Sequence, residues 1–504
     1  MSCLEGRVPS SACSLVASPD EAARRLLDLV GEKSLIGMGT SGFGSVGYPK
    51  VFPVELARLL EGTQRLVVLT GASAYAMDGV LAEKRAVARR YPYQNNPVMR
   101  KLINNGTVHF MDYHLGEWPS LVEGGWLHRW LPHGLDVAVV EASRVVENGF
   151  VPTASVGAVP AWVENARWVV IEVNMDSSPA LYGVHDIYRP RPGEPVPIRS
   201  VTDRAGEPIV RVPREKILAI VESRGIDHGG EPAEPGDVER RIAENLLEFL
   251  QDEVRAGRLP KNLYPIESGV GTVNDAVFKS LSEAGLRGLR AWTEVVQDSL
   301  LNLYSDGVMT GLSCTSLMLT PRNLERLYSG EIDLSGIVLR PQDITNNIEI
   351  IKRLRVIAVN TAVEIDIYGN VNSTHILGRR IINGIGGSGD YARGSFLSIF
   401  IAPSTRKGGR ISSIVPMVSH VDTPDHDVDV IVTEQGVCDL RGLSPRERAR
   451  LIIDKCAHPD YAPILQKYYE TALEKGGHIP HDLERAFALH RALEAYGDMR
   501  AAEL

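Results

Sequence analysis

Glu294 stands in the stretch AWTEVVQDS (291–299), between a basic RGLR segment and an apolar run that begins a helix, or a strand leading into one. A carboxylate at such a junction can be an ordinary solvated residue at the end of an element. If it instead faces a cleft, it is a candidate nucleophile, because a carboxylate can form a covalent acyl intermediate. The residues themselves leave both interpretations open.

Glycine-rich loops occur in both halves of the chain. Because glycine has no side chain, such loops expose backbone N–H groups that can closely approach the oxygen of a phosphate, carbonyl or carboxylate. The three loops are GMGTSGFGSVGYPK (37–50), SGVGTVNDAV (268–277) and NGIGGSGD (383–390).

Two of these loops contain G-x-G-x-x-G, the fingerprint of dinucleotide-binding folds, beginning at Gly37 and at Gly384. After the first, Pro49 and Pro53 interrupt the segment where a phosphate-binding helix should run. After the second, residues 391–421 contain no Asp or Glu, so the ribose-binding acid expected about 20 residues on is missing. None of the loops carries G-K-[ST]. We therefore expect neither a nicotinamide enzyme nor a P-loop protein.

A metal site is suggested only by HVDTPDHDVD (420–429), through Asp422, His426 and Asp427. The spacing of these three residues matches no standard ligand set. We expect no metal.

The composition is that of a globular protein, with 44% hydrophobic and 23% charged residues among 504. A net charge of −9 with scattered Lys and Arg argues against a nucleic-acid partner. No apolar run approaches the roughly 20 residues that cross a bilayer, and the N-terminus lacks the features of a secretory signal. We expect a cytoplasmic protein without nucleic-acid or membrane partners.

The cysteines are odd in number and far apart, and they form no C-x-x-C. This pattern predicts reduced thiols rather than a disulfide framework or a cysteine zinc site. The five are Cys3, Cys13, Cys314, Cys438 and Cys456.

Strand-like and helical segments alternate along the chain. Short apolar segments rich in branched residues are typical of buried parallel strands. They are KSLIGMG, RLVVLTGAS, LDVAVVEAS, ARWVVIEVN and EKILAIVES, and later LSGIVLR, RVIAVNTAVEIDI and DVDVIVTEQG.

Capping boxes at Ser18–Glu21 and Ser444–Glu447 predict two helix starts, and VERRIAENLLEFLQDEVRAG predicts an amphipathic helix. The Gly- and Pro-rich segment 225–237 resembles a linker. We predict two α/β domains, residues 1–226 and 227–504.

Long motifs of unusual composition carry a family resemblance over nearly the whole chain. They are SGFGSVGYPK, YPYQNNPVMRKLINNG, FVPTASVGAVP, SGVG, WTEVVQDS, DITNNIEIIKRL, NTAVEIDIYGNVNSTHILGRRIINGIGGSGDY and VIVTEQGVCDLRGLSP. The chain resembles the acetyl-CoA hydrolase/transferase family and, within it, the succinyl-CoA:acetate CoA-transferases. The resemblance implies two open α/β sheet domains of the CoA-transferase kind, with the active site between them, and a homodimer.

The resemblance also implies roles for individual residues. Glu294 matches the catalytic glutamate, which would become a glutamyl-CoA thioester, while Asn346 and the Gly387 N–H would hold the substrate and Glu434 would line the acyl site. The backbone at Val270 and Gly271 would face the glutamyl carbonyl. The CoA contacts implied are Gly269, Val270, Gly271, Thr272, Val273, Asn383, Gly387 and Lys407. Coenzyme A enters as a substrate thioester.

Several of these positions could instead have a purely structural role. Asn346 could simply cap the helix that begins NIEIIKRL, since Asn is a good cap. Gly387 could merely permit a turn, and Lys407 could belong to a basic surface loop. The second glycine loop reads GTVNDAV where the family commonly has GNVANAV, so Thr272, Asn274 and Asp275 depart from the pattern. An acid at Asp275 would be unfavourable if it faced anionic CoA.

Three functions are consistent with these observations. A CoA-transferase acting on short acids such as acetate, propionate and succinate comes first. An acyl-CoA hydrolase would use the same Glu294 but admit water, and the sequence does not separate these two. The third is a non-catalytic CoA- or acyl-binding protein, which an altered Glu294 would have favoured.

Overall fold

The computed structural model describes residues 3–231, 233–269 and 271–503. The chain forms two compact units: the first is Met1–Glu231 with Ala291–Leu354, and the second is Pro232–Arg290 with Arg355–Leu504. The segment that carries Glu294 thus belongs spatially with the first unit. The predicted division of the sequence at residue 226 stays a prediction.

Strands and helices alternate through both units. The strands are β1 Leu35–Thr40, β2 Arg65–Leu69, β3 Val87–Tyr91, β4 His109–Phe110, β5 Leu135–Val146, β6 Gly149–Pro152, β7 Ala166–Asn174, β8 Val210–Arg211, β9 Ile217–Ser223, β10 Ile266–Ser268, β11 Leu289–Trp292, β12 Val295–Val296, β13 Met309–Cys314, β14 Ser316–Leu317, β15 Ile337–Leu339, β16 Ile357–Thr361, β17 Glu364–Asp366, β18 Val371–Asn372, β19 His375–Ile376, β20 Arg380–Ile381, β21 Leu397–Ile401, β22 Thr405–Arg406, β23 Ile411–Ser412, β24 Ile414–Val415, β25 Val430–Val432 and β26 Val437–Asp439. The helices are α1 Pro19–Val30, α2 Phe52–Leu59, α3 Tyr75–Glu83, α4 Pro97–Asn104, α5 Trp118–Glu123, α6 Val159–Asn165, α7 Asp237–Arg255, α8 Thr272–Glu283, α9 Asp298–Ser305, α10 Pro321–Tyr328, α11 Gln342–Thr345, α12 Ile348–Leu354, α13 Ser388–Gly394, α14 Pro445–Cys456, α15 Ala462–Lys475 and α16 Ala488–Tyr496.

The first unit is built on a mostly parallel sheet. Strands β3, β2, β1, β5, β7 and β9 follow one another in parallel, with β4 beside β3. Antiparallel β6 and β8 continue from the long strand β5. Each apolar segment predicted as a strand in this half is a strand, which confirms the predicted α/β class.

Both faces of this sheet are buried. Val67 and Leu69 of β2 belong to one apolar core, while Leu66 and Val68 belong to another. Successive side chains of a strand point to opposite faces, so helices must cover the sheet on both sides. This explains why the strands are continuous apolar runs rather than alternating ones.

The second unit contains its own parallel strands. Strand β16 lies parallel to β10 and β21, β21 lies parallel to β25, and β26 closes the edge antiparallel to β25. Helix α7 confirms the predicted amphipathic helix. A separate apolar core packs α14, α15 and α16 against the strands of this unit.

Both predicted helix starts are present. The Ser444 and Glu447 side chains form a complete capping box. At α1 the Ser18 hydroxyl accepts the Glu21 N–H at 3.2 Å, but the Glu21 carboxylate pairs with Arg25 instead of reaching back.

The start of the 225–237 segment is anchored rather than free. The Asp227 carboxylate accepts the Gly47 N–H at 2.8 Å and pairs with Lys50 Nζ at 2.9 Å. Lys50 Nζ also lies 2.5 Å from the buried Glu141 carboxylate. A buried cluster of the Lys50 ammonium and the carboxyl groups of Glu141 and Asp227 therefore fixes the first glycine loop to the end of the first unit's main segment.

The prediction of reduced thiols is wrong for one pair. Cys3 and Cys13 form a disulfide, with Cα atoms 5.6 Å apart. Two short 3₁₀ turns, Cys3–Gly6 and Ser10–Leu15, bring them together. Cys314, Cys438 and Cys456 are free and buried. Within the described ranges, no helix is both long and apolar enough to cross a membrane.

Candidate active site

Glu294 lies in the short connection between β11 and β12, and its side chain is half-buried. Its backbone carbonyl accepts N–H groups from Thr315 at 2.9 Å and Ser316 at 3.1 Å. Two donors from the adjoining strand pair fix the backbone at this position. The backbone that carries the carboxylate is therefore hydrogen-bonded to the neighbouring chain segment.

Asn346 holds the Glu294 carboxylate. Asn346 follows α11, is 1% exposed, and donates from Nδ2 to Glu294 Oε1 at 2.5 Å. The Thr345 hydroxyl donates to Asn346 Oδ1 at 2.9 Å. Because an ionised carboxylate only accepts hydrogen bonds, the amide NH₂ must be the end of Asn346 that faces Glu294.

The structure gives the capping role to the residue after Asn346. Asn347 caps α12, because its Oδ1 accepts the N–H groups of Glu349 at 3.0 Å and Ile350 at 3.3 Å. Asn346 therefore is not the cap of this helix, and its side chain is directed at Glu294.

Buried contacts position the Asn346 segment. The Trp292 indole N–H donates to the Thr345 carbonyl at 2.8 Å, which ties α11 to the strand before Glu294. Gln342 Nε2 donates to the Leu115 carbonyl at 2.8 Å. Gly116, the next residue, lies against the Asn346 backbone.

Tyr93 and a small apolar cluster lie beside this group. The cluster consists of Phe43, Ala72, Leu115 and Val295, with Tyr93 packed against it. Burial raises the pKa of the Tyr93 phenol, and the charge of Glu294 adds to the effect. The phenol therefore stays neutral and keeps its proton.

The second glycine loop lies in the second unit, between β10 and α8. Gly269 donates to the Val359 carbonyl at 3.3 Å, and Val270 lies outside the described residues. Gly271 has φ 131°, a conformation that favours glycine. Thr272 and Val273 begin α8.

One departure from the family's loop, Asp275, has a structural explanation. Asp275 lies in the first turn of α8, where the helix dipole favours an acid. Asn274 is buried and belongs to the same turn. The acid at 275 is thus compatible with helix stability.

Gly387 precedes α13 and is buried. Its φ is −83°, which any residue adopts, whereas Gly386 has φ 62°. A turn requirement therefore explains Gly386 but not Gly387. Asn383, at the start of the loop, donates to the Gly384 carbonyl at 2.8 Å.

Glu434, which follows β25, contacts the base of the β22–β23 hairpin, and Lys407 lies at its tip. The half-buried Glu434 carboxylate accepts the Ser404 N–H at 2.8 Å, and Ser404 precedes the β22–β23 hairpin. Lys407 is exposed at its tip. Arg406 instead turns inward and donates to the carbonyl of Ala362 at 2.8 Å, so it is structural.

The structure thus brings Glu294 and Asn346 into direct contact. The other predicted residues that it describes lie in the second unit, at the second and third glycine loops, at the tip of the β22–β23 hairpin and after β25. Thr345, Gly116 and Tyr93 were not predicted as site residues. Thr345 adjoins Asn346 and Tyr93 lies in the YPYQNN motif, but nothing in the sequence indicates that Gly116 meets Asn346.

Two family models match the chain: the acetyl-CoA hydrolase/transferase N-terminal domain over residues 15–222 and the C-terminal domain over 324–469. The succinyl-CoA:acetate CoA-transferase of Clostridium kluyveri is 44% identical, over 91% of this chain and 86% of that protein. The acetyl-CoA hydrolase of Candida glabrata is 43% identical, over 92% of each. The crystal structure of RipA from Yersinia pestis shares the fold, with a TM-score of 0.69, 22% identity, and coverage of 92% of this chain and 98% of that one. The chain belongs to the acetyl-CoA hydrolase/transferase family of enzymes.

Proposed function

We propose that the protein is a CoA-transferase that moves CoA between short carboxylic acids, such as succinate, acetate and propionate, through a thioester between CoA and Glu294. The observation that carries this proposal is the Glu294 carboxylate held by the amide of the buried Asn346. The similarity to the Clostridium kluyveri enzyme supports the substrate class.

The reaction proceeds in balanced steps. A Glu294 oxygen attacks the acyl-CoA carbonyl carbon, the C–S bond breaks, and CoA leaves as thiolate, which gives a mixed anhydride. The thiolate then adds to Glu294 Cδ, and the anhydride C–O bond breaks to release the first acid as carboxylate. A second carboxylate reverses both steps and regenerates Glu294. A serine or cysteine could be acylated, but neither could itself become the acyl group of a CoA thioester.

The position of Asn346 suits these reaction steps because its amide contacts Oε1 of Glu294. Oε1 becomes the carbonyl oxygen of Glu294 once Oε2 has bonded to the acyl group. When the thiolate adds to Cδ, negative charge develops on Oε1, and the Asn346 amide already points at that atom. Donors positioned in advance in this way stabilise such oxyanions.

The proposal also gives roles to residues of the second unit. We assign the backbone of Val270 and Gly271 to the glutamyl carbonyl, the Gly387 N–H to the substrate and Glu434 to the acyl site. Lys407 is assigned to a CoA phosphate, which its exposed position supports. Gly269, Thr272, Val273 and Asn383 remain proposed CoA contacts. The homodimer and the cytoplasmic location stay predictions.

Trapping the intermediate tests the proposal. Incubation with an acyl-CoA and no acceptor should leave a covalent CoA adduct on the peptide that bears Glu294, detected by mass spectrometry. An adduct on any other residue would reject the assignment. Steady-state kinetics should be ping-pong, with parallel double-reciprocal lines; intersecting lines would indicate a ternary complex.

Acyl-CoA hydrolysis is the second candidate, favoured by the name of the Candida glabrata relative. The same adduct would form, and water rather than a carboxylate would then attack Glu294 Cδ. Loss of acyl-CoA should be measured with and without added acetate or succinate. A transferase consumes acyl-CoA much faster with an acceptor, whereas equal rates would establish the hydrolase.

A further inference from the structure

Two histidines and an aspartate that the proposed reaction does not use meet in the second unit. His375 lies in β19, and His420 and Asp422 lie between β24 and β25. One nitrogen of each imidazole and one carboxylate oxygen all lie within 4.8 Å of one another. We propose that this trio binds a divalent transition-metal ion of the zinc class.

The spacing of the donor atoms fits a metal site. His420 Nε2 lies 3.1 Å from Asp422 Oδ1. In a tetrahedral zinc site with bonds of about 2.0–2.1 Å, neighbouring ligand atoms are about 3.3 Å apart. These two atoms are thus already near ligand spacing. The His375 and His420 rings have centroids 4.0 Å apart, so the third imidazole lies beside this pair.

Hydrogen bonds orient the donors as metal sites require. The Asp422 carboxylate accepts the Ser373 N–H at 2.6 Å, and the Thr374 hydroxyl lies 2.9 Å from both of its oxygens. Thr374 Oγ1 also lies 2.6 Å from His375 Nδ1. Since the hydroxyl donates its one hydrogen to Asp422, it accepts the Nδ1–H of His375, and Nε2 keeps a lone pair. Such outer contacts commonly fix metal-ligating histidines.

The donor set indicates which ions would bind. Two imidazoles and one carboxylate suit Zn²⁺, Co²⁺, Ni²⁺ and Cu²⁺, whereas Ca²⁺ and Mg²⁺ prefer oxygen ligands. His420 has 38% of its side chain exposed, while Asp422 has 5%. An ion can therefore enter from solvent and meet a carboxylate that is already held in place.

A bound ion would join two chain segments of the second unit. Thr374, beside His375, accepts the Ile382 N–H at 2.8 Å through its carbonyl, and Asn383 Nδ2 lies 3.4 Å from the Ser373 carbonyl. The ion would thus restrain the hairpin that leads into the third glycine loop. This inference does not depend on the proposed reaction.

Metal titration of tag-free, chelator-treated protein tests the proposal. Isothermal titration with ZnCl₂ should show one saturable site, and Co²⁺ should give visible d–d bands of tetrahedral intensity that Zn²⁺ abolishes. His375→Ala and His420→Ala should each weaken binding by at least roughly tenfold, and Thr374→Val by roughly 10–100-fold. The matched control is His426→Ala, because His426 is 86% exposed beside Asp425; it should bind as the parent does.

Two results would overturn the proposed metal site. Absence of saturable binding to the parent protein overturns the proposal, as does undiminished binding to His375→Ala and His420→Ala. Near-UV circular dichroism checks the fold of each variant. If an alanine variant is unfolded, His420→Gln replaces it, because the glutamine keeps a polar side chain at a half-exposed position and should still lose the site. Zn²⁺ should also raise the Tm of the parent and of His426→Ala but not of the ligand variants.

Discussion

Gly116 lies directly against Asn346: a Cβ atom on Gly116 would stand 2.3 Å from the Asn346 carbonyl oxygen and 3.1 Å from the Asn346 Cβ. Protein interiors leave no space to absorb such an overlap. Any side chain at position 116 must therefore displace the residue that holds Glu294. The absence of a side chain at 116 is a condition for the Glu294–Asn346 contact.

Gly116→Ala should lower kcat by roughly 10²–10³, the loss typical when one oxyanion donor is removed. The matched control is Gly230→Ala, because a Cβ at Gly230 has no atom within 4 Å, and this variant should retain the parent's kcat. Steady-state kinetics on both variants provide the measurement. Full activity in Gly116→Ala would show that Asn346 tolerates displacement.

Asn346→Ala should slow transfer by roughly 10²–10³ while still forming the CoA adduct, because the nucleophile remains. Asn347→Ala is the adjacent control. It removes the cap of α12 and should cost about 1 kcal/mol of unfolding free energy with kcat unchanged. Rapid-quench measurement of adduct formation distinguishes the two. Complete loss of the adduct in Asn346→Ala would indicate that Asn346 maintains the structure of the site.

Glu294→Ala should abolish transfer and leave CoA binding intact. Glu294→Asp keeps the charge but withdraws the carboxylate by one methylene, away from the roughly 3–3.5 Å separation that attack requires. We expect it to lose most of the activity as well. Turnover assays and CoA titration check both variants, and near-normal turnover by Glu294→Asp would indicate a structural carboxylate.

Lys407→Ala should raise KM for acyl-CoA more than it lowers kcat, because phosphate contacts contribute mainly uniform binding. Lys407 has φ 50°. Lysine and alanine both carry a Cβ atom, so the substitution leaves the backbone strain at this position unchanged. Lys261→Ala, at another exposed lysine, serves as the control and should leave KM unchanged. A pure kcat effect at Lys407 would contradict a CoA contact.

The Lys50 cluster should make stability depend on pH. Burial and the Glu141 carboxylate raise the pKa of Asp227 to about 7, from an ordinary 3.8. Between about pH 4 and pH 7 the folded chain keeps a proton that the unfolded chain has released, so unfolding free energy falls as pH rises, by up to about 1.4 kcal/mol per pKa unit.

Asp227→Asn should reduce that slope, measured by urea unfolding at about pH 5 and about pH 8. Part of the slope should remain, because burial also raises the pKa of Glu172 to about 7. Asp28→Asn, at an exposed acid, should keep it. An unchanged slope in Asp227→Asn would mean that another group carries the titration.

Much of the fold could be predicted from the sequence, because the patterns that indicate its strands and helix starts are local. Branched apolar runs predicted the strands, and Ser444 with Glu447 predicted the start of α14. The family motifs also predicted Glu294 and Asn346 as site residues; the structure brings their side chains into contact, and their roles stay predictions. The motifs could not exclude that Asn346 caps α12, because asparagine is a good cap; in the structure Asn347 is the cap.

The missed features depend on contacts between distant segments. Cys3 and Cys13 meet through two 3₁₀ turns that leave no periodic pattern. The sequence grouped Asp422 with His426 and Asp427, its near neighbours, whereas folding places Asp422 with His420 and the distant His375. Asp227, in a segment with the composition of a linker, is held by Lys50 through burial that composition does not reveal.

The first unit is interrupted along the chain, and this has a consequence for the order of synthesis. A ribosome completes all nine strands of its main sheet before it makes residues 291–354. Until then Gly157 lacks its native partners, the Thr315 hydroxyl and the Gln342 N–H, each 2.9 Å away in the finished fold. A nascent chain paused after β9 is therefore an incomplete unit that contains neither Glu294 nor Asn346, and it is at this stage that chaperones or proteases would meet an unfinished surface.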